Sequence, residues 1–270
     1  MPLPLSVAIV CRNNEETIGR TLESVAGLAA EIVAVDSGST DGTLGLLERA
    51  GARIIRTEWK GHIATKQMAL DACSQSWVLS LDSDESLTPA LRASIERALG
   101  SPLERIDGFI VNRKVFYRNR PLSHAWQPEP RLRLVRAGRA RWTGLDPHDR
   151  LELLSGSPPP QTLAGDVRHD SISTFAEFLT KQSIHARTMA ASLHAAGARG
   201  SRLALFASPP GAFLKQLILK QAWRDGWPGW LAAASTAAAT LMKHACLLEL
   251  CHNSPPQRPD ISQEPSPKRD

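Results

Sequence analysis

The sequence contains few cysteines, and their placement argues against a structural role. Cys11, Cys73, Cys246 and Cys251 are far apart or offset, with no Cys-x-x-Cys pair and no histidine pair at zinc-binding spacing nearby. This pattern argues against a disulfide framework and against a structural zinc site. The thiols suit a reducing cytosol.

Several motifs of common enzyme classes are missing. The chain has no P-loop, no Gly-x-Gly-x-x-Gly fingerprint and no Gly-x-Ser-x-Gly elbow. Nucleoside triphosphate hydrolysis, hydride transfer and serine hydrolysis therefore lack their usual sequence support.

Long apolar runs are also missing. The most apolar late stretch, 229–242, stops at Lys243 and His244, well short of the roughly 20 residues that a spanning helix needs. Residues 1–10 are apolar but carry no basic n-region, which predicts a buried strand and no signal peptide. We therefore expect a cytoplasmic protein without a transmembrane segment.

The composition is that of a globular protein with a basic excess. Of the 270 residues, 42% are hydrophobic and 22% are charged, which is enough for a sizeable core. The 32 Lys and Arg residues exceed the 27 Asp and Glu residues, giving a net charge of +5. This excess favours anionic partners such as nucleotides, lipid headgroups or phosphorylated sugars, and it does not indicate nucleic acid.

The first 90 residues follow a strand–helix alternation. The apolar runs 5–10 and 31–36 are typical of buried parallel strands, and Asn13 is a candidate cap for the helix between them. A second helix and a strand at 52–56 follow, then a helix over 62–72 and a strand over 77–81. This alternation predicts an α/β fold.

Carboxylates follow two of these strands directly. Because ligands bind outside the carboxyl ends of open parallel sheets, Asp36 and the Asp82-x-Asp84 pair should face one crevice. Asp82 and Asp84 can share one divalent cation, although an exposed acidic turn is the alternative. Asp36 can accept hydrogen bonds from a base or ribose, although its surroundings also fit a tight Gly-rich turn.

The later sequence predicts more strands and then helices. A helix begins at Thr88-Pro89, and strands over 108–116 and 131–135 indicate a mixed, mainly parallel sheet. Beyond residue 154 we expect helices only, with the second opened by Ser208-Pro209-Pro210 and the third by Trp227-Pro228. The predicted divisions are a domain over 1–154, a helical region over 155–252 and a disordered tail over 253–270.

Taken together, these motifs resemble glycosyltransferase family 2, and more narrowly its lipopolysaccharide core biosynthesis branch. The segments that carry the resemblance are LSVAIVCRNNEE (5–16), EIVAVDSGSTDGT (31–43), EWKG (58–61), ATKQMAL (64–70), WVLSLDSDE (77–85), WQPE (126–129), RLRL (131–134), PH (147–148) and GWPG (226–229). They cover the first 150 residues densely.

The resemblance implies a GT-A fold and transfer of a sugar from a nucleotide-sugar donor, with a UDP-sugar favoured, to a saccharide or lipid-linked acceptor. It also implies roles for particular residues: Arg12, Asn13 and Glu15 at the base and ribose, Asp36 on the base, Lys66 near the diphosphate, and Asp82 and Asp84 on Mg²⁺ or Mn²⁺. The metal-bound Asp84 then serves catalysis, because charge develops on the leaving nucleoside diphosphate.

Such enzymes invert the anomeric centre and need one carboxylate as base. Glu129 stands where the family usually has Asp, and the alternative is a surface Glu paired with Arg131 or Arg133. His148 is a further candidate for the metal or diphosphate, against a purely structural role. Trp126 can stack on a sugar ring or simply pack. The pair Cys11-Arg12 replaces the Thr-Lys pair usual in the family.

The C-terminal helices are where a membrane would be contacted. An apolar face alternates there with cations, which is typical of an interfacial helix and also of a core helix. The apolar residues are Phe213, Leu214, Leu217 and Ile218, and the cations are Lys215, Lys220 and Arg224. A lipid-linked acceptor would favour peripheral association with the cytoplasmic face of the inner membrane.

Two other functions fit parts of the sequence. A haloacid-dehalogenase-like phosphatase also uses Asp-x-Asp after an apolar strand, and Gly165-Asp166-x-x-x-Asp170 mimics its later acidic motif. Against it, the Asp82 pair does not follow the first strand of the sheet. A non-catalytic basic membrane-surface protein is the second alternative, and it predicts no donor binding.

Overall fold

The computed structural model describes residues 2–101, 105–145, 148–172 and 174–253. Its strands are β1 (Leu3–Cys11), β2 (Ala29–Asp36), β3 (Arg53–Arg56), β4 (Trp77–Asp82), β5 (Glu85–Leu87), β6 (Gly108–Tyr117), β7 (Arg120–Pro121), β8 (Pro130–Arg136), β9 (Ala140–Leu145), β10 (His148–Leu153) and β11 (Gln161–Ile172). Its α-helices are α1 (Ile18–Val25), α2 (Thr43–Arg49), α3 (His62–Asp71), α4 (Pro89–Leu99), α5 (Phe175–Ala195), α6 (Arg202–Leu214) and α7 (Trp227–Asn253). A π-helical segment (Lys215–Leu219) and a 3-10 segment (Ala222–Asp225) join α6 to α7.

One large mixed sheet organises the protein. Its strand order is β3-β2-β1-β4-β8-β6-β11-β5, with β7 added beside β6. Strands β3, β2, β1 and β4 pair in parallel, whereas β8 is antiparallel to both β4 and β6. The α/β fold with a mixed sheet and C-terminal helices is confirmed. Within the described part of this sheet, however, four pairings are parallel and four are antiparallel, so the sheet is less parallel than the sequence predicts.

Both faces of the sheet are buried. Helices α1, α2 and α4 cover one face, where Leu5, Val7 and Ile9 of β1 pack. Helix α3 and the β9–β10 hairpin cover the other face, over Ala8. A strand buried on both sides must be apolar at nearly every position, which explains the continuous apolar runs of β1 and β4.

Strand β11 corrects the expectation that only helices follow residue 154. It pairs in parallel with β6 and antiparallel with β5, inside the large sheet. Gly165, with φ +96°, passes over α4, and a Cβ there would lie 2.3 Å from the backbone nitrogen of Leu91. The sheet therefore ends at residue 172, and the helices begin at Phe175. The domain boundaries themselves stay a prediction.

Two predicted helix starts are wrong. Asn13 has a left-handed φ of 53° and does not cap α1, which begins at Ile18 after Thr17. Helix α6 begins at Arg202, where Ser201 accepts a hydrogen bond from the backbone of Ala204, and Pro209 and Pro210 lie inside it. The local capping interaction outweighs the usual preference of proline for a first turn.

The C-terminal helices are attached to the loop that precedes β8. Asp225 accepts hydrogen bonds from the backbone N–H groups of Ser123, His124 and Ala125 at 2.8–3.0 Å. Gly229 lets α7 approach the 3-10 segment, because a Cβ at this position would lie 1.7 Å from the carbonyl oxygen of Ala222. Of the predicted tail, only Asn253, the last residue of α7, falls within the described residues.

A patch of exposed apolar side chains lies on the same helical region. We call it the C-terminal apolar surface, and its members are Leu214, Ile218, Leu219, Trp223, Trp227 and Trp230. They are 51–76% exposed, whereas Leu217 of the predicted apolar face is buried. Among the residues that the structure describes, one helix could cross a membrane by length and composition alone: Trp227–His252, with mean hydropathy 1.3 and 22% of its apolar window buried. This helix is longer than the apolar run 229–242, which by itself is too short to span a membrane.

Candidate functional site

A cavity of about 960 Å³ opens at the carboxyl ends of β1 and β4. The sheet forms one wall, and α5 and α7 form the opposite wall. Eight lysine and arginine side chains line it, against four carboxylates. The cations are Arg12, Lys66, Arg113, Arg131, Arg133, Arg150, Lys181 and Lys243, and the carboxylates are Asp82, Asp84, Glu129 and Asp149. Such a balance attracts an anionic ligand.

Asp82, at the end of β4, is held by two cations. Lys66 Nζ lies 2.7 Å from its Oδ1, and Arg133 of β8 lies 3.2 Å from its Oδ2. Burial opposes ionisation, but Lys66 and Arg133 outweigh it and keep the pKa of Asp82 well below its usual range. Lys66 also pairs with Asp149 at 2.8 Å and lies 4.7 Å from the ring centre of Trp142. The first carboxylate of the Asp-x-Asp pair is thus already neutralised.

Asp84 has a different partner, which the sequence did not reveal. His169 of β11 places Nε2 3.3 Å from Asp84 Oδ2. Burial lowers the pKa of His169, but Asp84 outweighs it and raises that pKa, while the pKa of Asp84 is lowered in return. His169 Nδ1 is buried and has no hydrogen-bond partner among the described residues. A buried polar atom without a partner costs about 1–3 kcal/mol, so this nitrogen favours a bound ligand.

The Asp84–His169 pair fits a divalent metal once the imidazole loses the proton that Asp84 stabilises, because only the neutral ring can be a ligand. Carboxylate oxygen suits Mg²⁺ and Mn²⁺, and imidazole nitrogen is a common ligand of transition metals. Among the residues that the structure describes, no group of three His, Cys, Asp or Glu side chains could hold a metal ion. A metal would therefore take most of its remaining ligands from water or from the phosphates of a bound nucleotide.

Glu129, at the other side of the same cavity, is paired twice. Arg113 of β6 binds both of its oxygens, with Nη2 2.5 Å from Oε1 and Nε 3.0 Å from Oε2. Arg131 adds a contact of 2.6 Å to Oε1. Burial opposes ionisation, yet the two arginines lower the pKa of Glu129. The pairing with Arg131 matches the structural alternative, whereas Arg133 binds Asp82 and Glu85.

The expected nucleotide residues are only partly in the cavity. Arg12 lines it, but the side chains of Asn13, Glu15 and Asp36 bond to the loop between β2 and α2. Asn13 Oδ1 accepts from Thr40, Glu15 Oε2 from Gly42, and the buried Asp36 carboxylate from Gly38 and Ser39. These bonds bring the two loops together beside Arg12. The hydrogen bonds of Asp36 support the alternative in which this residue stabilises a tight Gly-rich turn.

Trp126 and His148 are the remaining residues that the sequence predicts at the site. Trp126 lines the cavity, and its Nε1 donates a 3.0 Å hydrogen bond to Thr236 of α7. It therefore connects the loop before β8 to the opposite wall. His148 begins β10, but its side chain lies outside the described residues.

Cys11, which replaces the threonine usual in the family motif, adds no charge to the site. Burial, with a smaller contribution from Asp36, raises the pKa of the Cys11 thiol to about 12. The thiol therefore stays protonated at neutral pH. It lies 3.8 Å from both the carbonyl of Val35 and the carboxylate of Asp36.

Sequence reasoning missed several cavity residues besides His169. Arg113 and Arg133 occupy strands that it placed correctly, and their inward positions among apolar neighbours are the available signal. Lys181 and Lys243 lie on helices that it treated as packing or membrane elements.

Comparison with known proteins decides the family. Residues 6–150 match the model of glycosyl transferase family 2. The chain belongs to this family. It is a glycosyltransferase, and the resemblance stated from its motifs is confirmed. Neither the phosphatase nor the non-catalytic alternative is supported.

Two relatives extend the match along most of the glycosyltransferase. The lipopolysaccharide core biosynthesis glycosyltransferase LpsC of Rhizobium meliloti is 32% identical over 265 residues, covering 90% of this chain and 94% of that protein. A glycosyltransferase of Rickettsia typhi is 26% identical over 254 residues, covering 91% and 87%. Both matches extend well past residue 150 into the helical region.

Two solved structures are also similar. Glucosyl-3-phosphoglycerate synthase from Mycobacterium tuberculosis, in complex with Mn²⁺, UDP and glucosyl-3-phosphoglycerate, is 29% identical, with 43% of this chain and 44% of that chain covered and a TM-score of 0.34. S. aureus TarS 1-349, in complex with UDP-GlcNAc, is 15% identical, with 93% and 91% covered and a TM-score of 0.44.

Proposed function

We propose that this glycosyltransferase is a metal-dependent, inverting enzyme of cell-envelope biosynthesis. It takes a sugar from a nucleotide-sugar donor, with UDP-sugars preferred, and transfers it to a lipopolysaccharide core or lipid-linked acceptor. Similarity to LpsC over 90% of the chain supports the pathway. The observation that carries the chemistry is the pairing of Asp84 with His169 through Nε2 in a cation-rich cavity.

Asp84 and His169 would hold Mg²⁺ or Mn²⁺, with Asp82 beside them. When bound, the metal neutralises negative charge on the departing nucleoside diphosphate. Lys66, Arg133 and Arg12 provide fixed positive charge in the same part of the cavity. Because Lys66 and Arg133 are already positioned by ion pairs with Asp82, little reorganisation of these two cations is needed as charge develops on the diphosphate.

Glu129 is the proposed base. Its lowered pKa keeps it ionised at neutral pH, and among the described contacts its Oε2 accepts a bond from Arg113 Nε alone, which leaves room for an acceptor hydroxyl. A carboxylate with a low pKa is a weak base. Proton transfer to it becomes favourable late in the reaction, when the acceptor oxygen has bonded to the anomeric carbon and turned acidic.

We also propose that the enzyme is cytoplasmic and binds the cytoplasmic face of the inner membrane through the C-terminal apolar surface. Three tryptophans on that surface are more than half exposed. Lys215 and Arg224 belong to the same short stretch and complement anionic lipid headgroups, whereas Lys220 donates a 2.8 Å hydrogen bond to the carbonyl of Gln127. Binding there would bring the cavity to a lipid-linked acceptor.

Nucleotide titration tests the donor and metal proposals. UDP, GDP, CMP and ADP are titrated calorimetrically into the wild type and Asp84→Ala, with and without Mn²⁺. We expect one nucleotide, UDP, to bind tightly with Mn²⁺ and roughly 10-fold or more weakly in the variant, because one metal ligand is lost. Asp71→Asn, an exposed carboxylate outside the cavity, is the matched control. Metal-independent binding, or binding unchanged by Asp84→Ala, would contradict the metal site.

A further inference from the structure

The wall of the cavity opposite the sheet is built from single stripes of two helices. On α5 the lining residues follow helical spacing, and on α7 they occupy one side of the helix. The α5 residues are Phe178, Lys181, Gln182, His185, Ala186 and Met189. The α7 residues are Ser235, Thr236, Ala239, Thr240 and Lys243. Each helix therefore turns one continuous face toward the cavity.

These faces combine packing residues with polar ones. Phe178 is buried against Trp126, and Met189 also lines the cavity, but lysine, glutamine, serine and threonine occupy the same faces. No carboxylate is among the described lining residues of either helix, so all four carboxylates of the cavity lie on the sheet side. The helical wall therefore carries positive charge without negative charge beside it.

Lys181 and Lys243 give that wall its charge. Neither lysine forms a salt bridge with a carboxylate within the part of the chain that the structure describes, unlike Lys66 and Arg133 on the sheet side. Lys181 is near enough to Asp84 to act on its charge. Lys243 follows Ser235 by eight residues, which places it about 12 Å further along α7.

We propose that the α5–α7 wall binds the acceptor through an anionic group, a phosphate or a carboxylate, held by Lys181 and Lys243. This inference rests on the proposed function. The diphosphate of the donor has its own cations at the ends of β1 and β4. Lys181, within electrostatic range of Asp84, and Lys243 on α7 add positive charge to those cations, enough for a second anion on the substrate that enters between the sheet and the helices.

The test measures acceptor binding without turnover. A core oligosaccharide released from lipopolysaccharide by mild acid is titrated into the enzyme in the presence of UDP and Mn²⁺. The proteins are the wild type, Lys181→Gln, Lys243→Gln and the matched control Arg187→Gln, an exposed cation on α5 outside the cavity stripe. Each lysine variant should bind the oligosaccharide about 10-fold more weakly, and the control should bind it as the wild type does.

Two modified oligosaccharides identify the anion. Removal of phosphates with hydrogen fluoride, or reduction of carboxyl groups, should weaken wild-type binding by the same factor as the lysine variants. The modification that has this effect names the group. Lys243→Gln should bind the oligosaccharide that lacks this group almost as tightly as the wild type binds it, because the contact with the lysine is already absent.

Several results would overturn the inference. They are no binding of the oligosaccharide to the wild type, equal affinity for all three oligosaccharides, and unchanged binding in both lysine variants. A Lys243→Gln variant that loses UDP affinity as much as oligosaccharide affinity would assign this cation to the donor, which also overturns it. Titration of UDP without the oligosaccharide tests the proposed function by itself. Failure of the proposed function can therefore be distinguished from failure of the acceptor-site inference.

Discussion

Single side chains in the cavity are held ionised by partners of opposite charge. Asp82 has Lys66 and Arg133, Asp84 has His169, and Glu129 has Arg113. A pair of this kind fixes the position of a carboxylate and lowers its basicity together. The residue proposed as base is therefore well positioned but weakly basic, and its contribution to turnover can be measured directly.

Glu129→Gln should lower kcat by about 100-fold or more while leaving UDP affinity unchanged, because an amide cannot accept the proton of the acceptor. Glu129→Asp keeps the carboxylate and should retain part of the activity. Steady-state kinetics and UDP titration on the same preparations make the comparison. Glu96→Gln, which changes an exposed carboxylate on α4, is the control.

Loss of the pairs with Arg113 and Arg131 could also destabilise Glu129→Gln. Thermal unfolding of each variant therefore accompanies the kinetics. Undiminished kcat in a folded Glu129→Gln protein would remove Glu129 as the base.

Among the secondary-structure elements, the 3-10 segment before α7 connects the two walls of the cavity. Its Asp225 is 4% exposed at the side chain and accepts three backbone hydrogen bonds and one from His124. Burial raises the pKa of Asp225, but these hydrogen bonds outweigh burial and lower it. The loop that leads to Trp126 and Glu129 is thus fixed to the C-terminal helices.

Asp225→Asn should reduce the free energy of unfolding at pH 7 by about 1–3 kcal/mol, because charge-assisted hydrogen bonds are weakened. The folded-state pKa of Asp225 is lower than its unfolded value of about 3.9, so its stabilisation is complete above that value and is lost as the pH falls through the folded-state pKa. The difference between wild type and variant should therefore shrink below about pH 4.

Urea unfolding at several pH values measures this difference. Asp71→Asn, on an exposed helix end, should change little at any pH. A difference for Asp225→Asn that does not vary with pH would mean that the charge of Asp225 does not contribute.

Individual elements also show how far the sequence predicts the structure. The continuous apolar run of β4 placed Asp82 and Asp84 at the correct edge of the sheet, because a doubly buried strand has a distinctive pattern. Strand β11 was missed, since Gly165 and several polar residues interrupt its pattern, and its partner β6 lies about 50 residues earlier. His169 could not be found without that long-range pairing.

Across the whole molecule, the cavity lies between a sheet wall and a helical wall that comes later in the chain. The family match covers residues 6–150, which include the sheet wall as far as β10. The helical wall and the C-terminal apolar surface share helix α7, which provides residues to both. Acceptor binding and membrane contact are therefore expected to be properties of one structural unit.

Leu219→Ser and Trp223→Ser should each weaken binding to phosphatidylglycerol-containing vesicles by about 10-fold, because burial of one large apolar side chain contributes about 1.5–3 kcal/mol. Ile184→Ser, an exposed apolar residue on α5, is the control. Vesicle co-sedimentation measures the binding, and added salt should weaken it.

Extraction of cell membranes with alkaline carbonate tests the mode of attachment. Surface binding predicts release of the enzyme into the soluble fraction. Retention in the membrane would instead assign α7 a spanning role and contradict the proposal of peripheral association.

The late position of β11 has a consequence for biosynthesis. As the chain leaves the ribosome, β5 has no neighbour in the sheet, and Asp84 has no histidine opposite it, until residues 161–172 have emerged. The nascent enzyme therefore acquires its complete nucleotide end only after β11 has been translated, later than every other strand of the sheet that the structure describes. A shorter fragment that ends before β11 would expose an unpaired edge of β6, which is a surface prone to self-association.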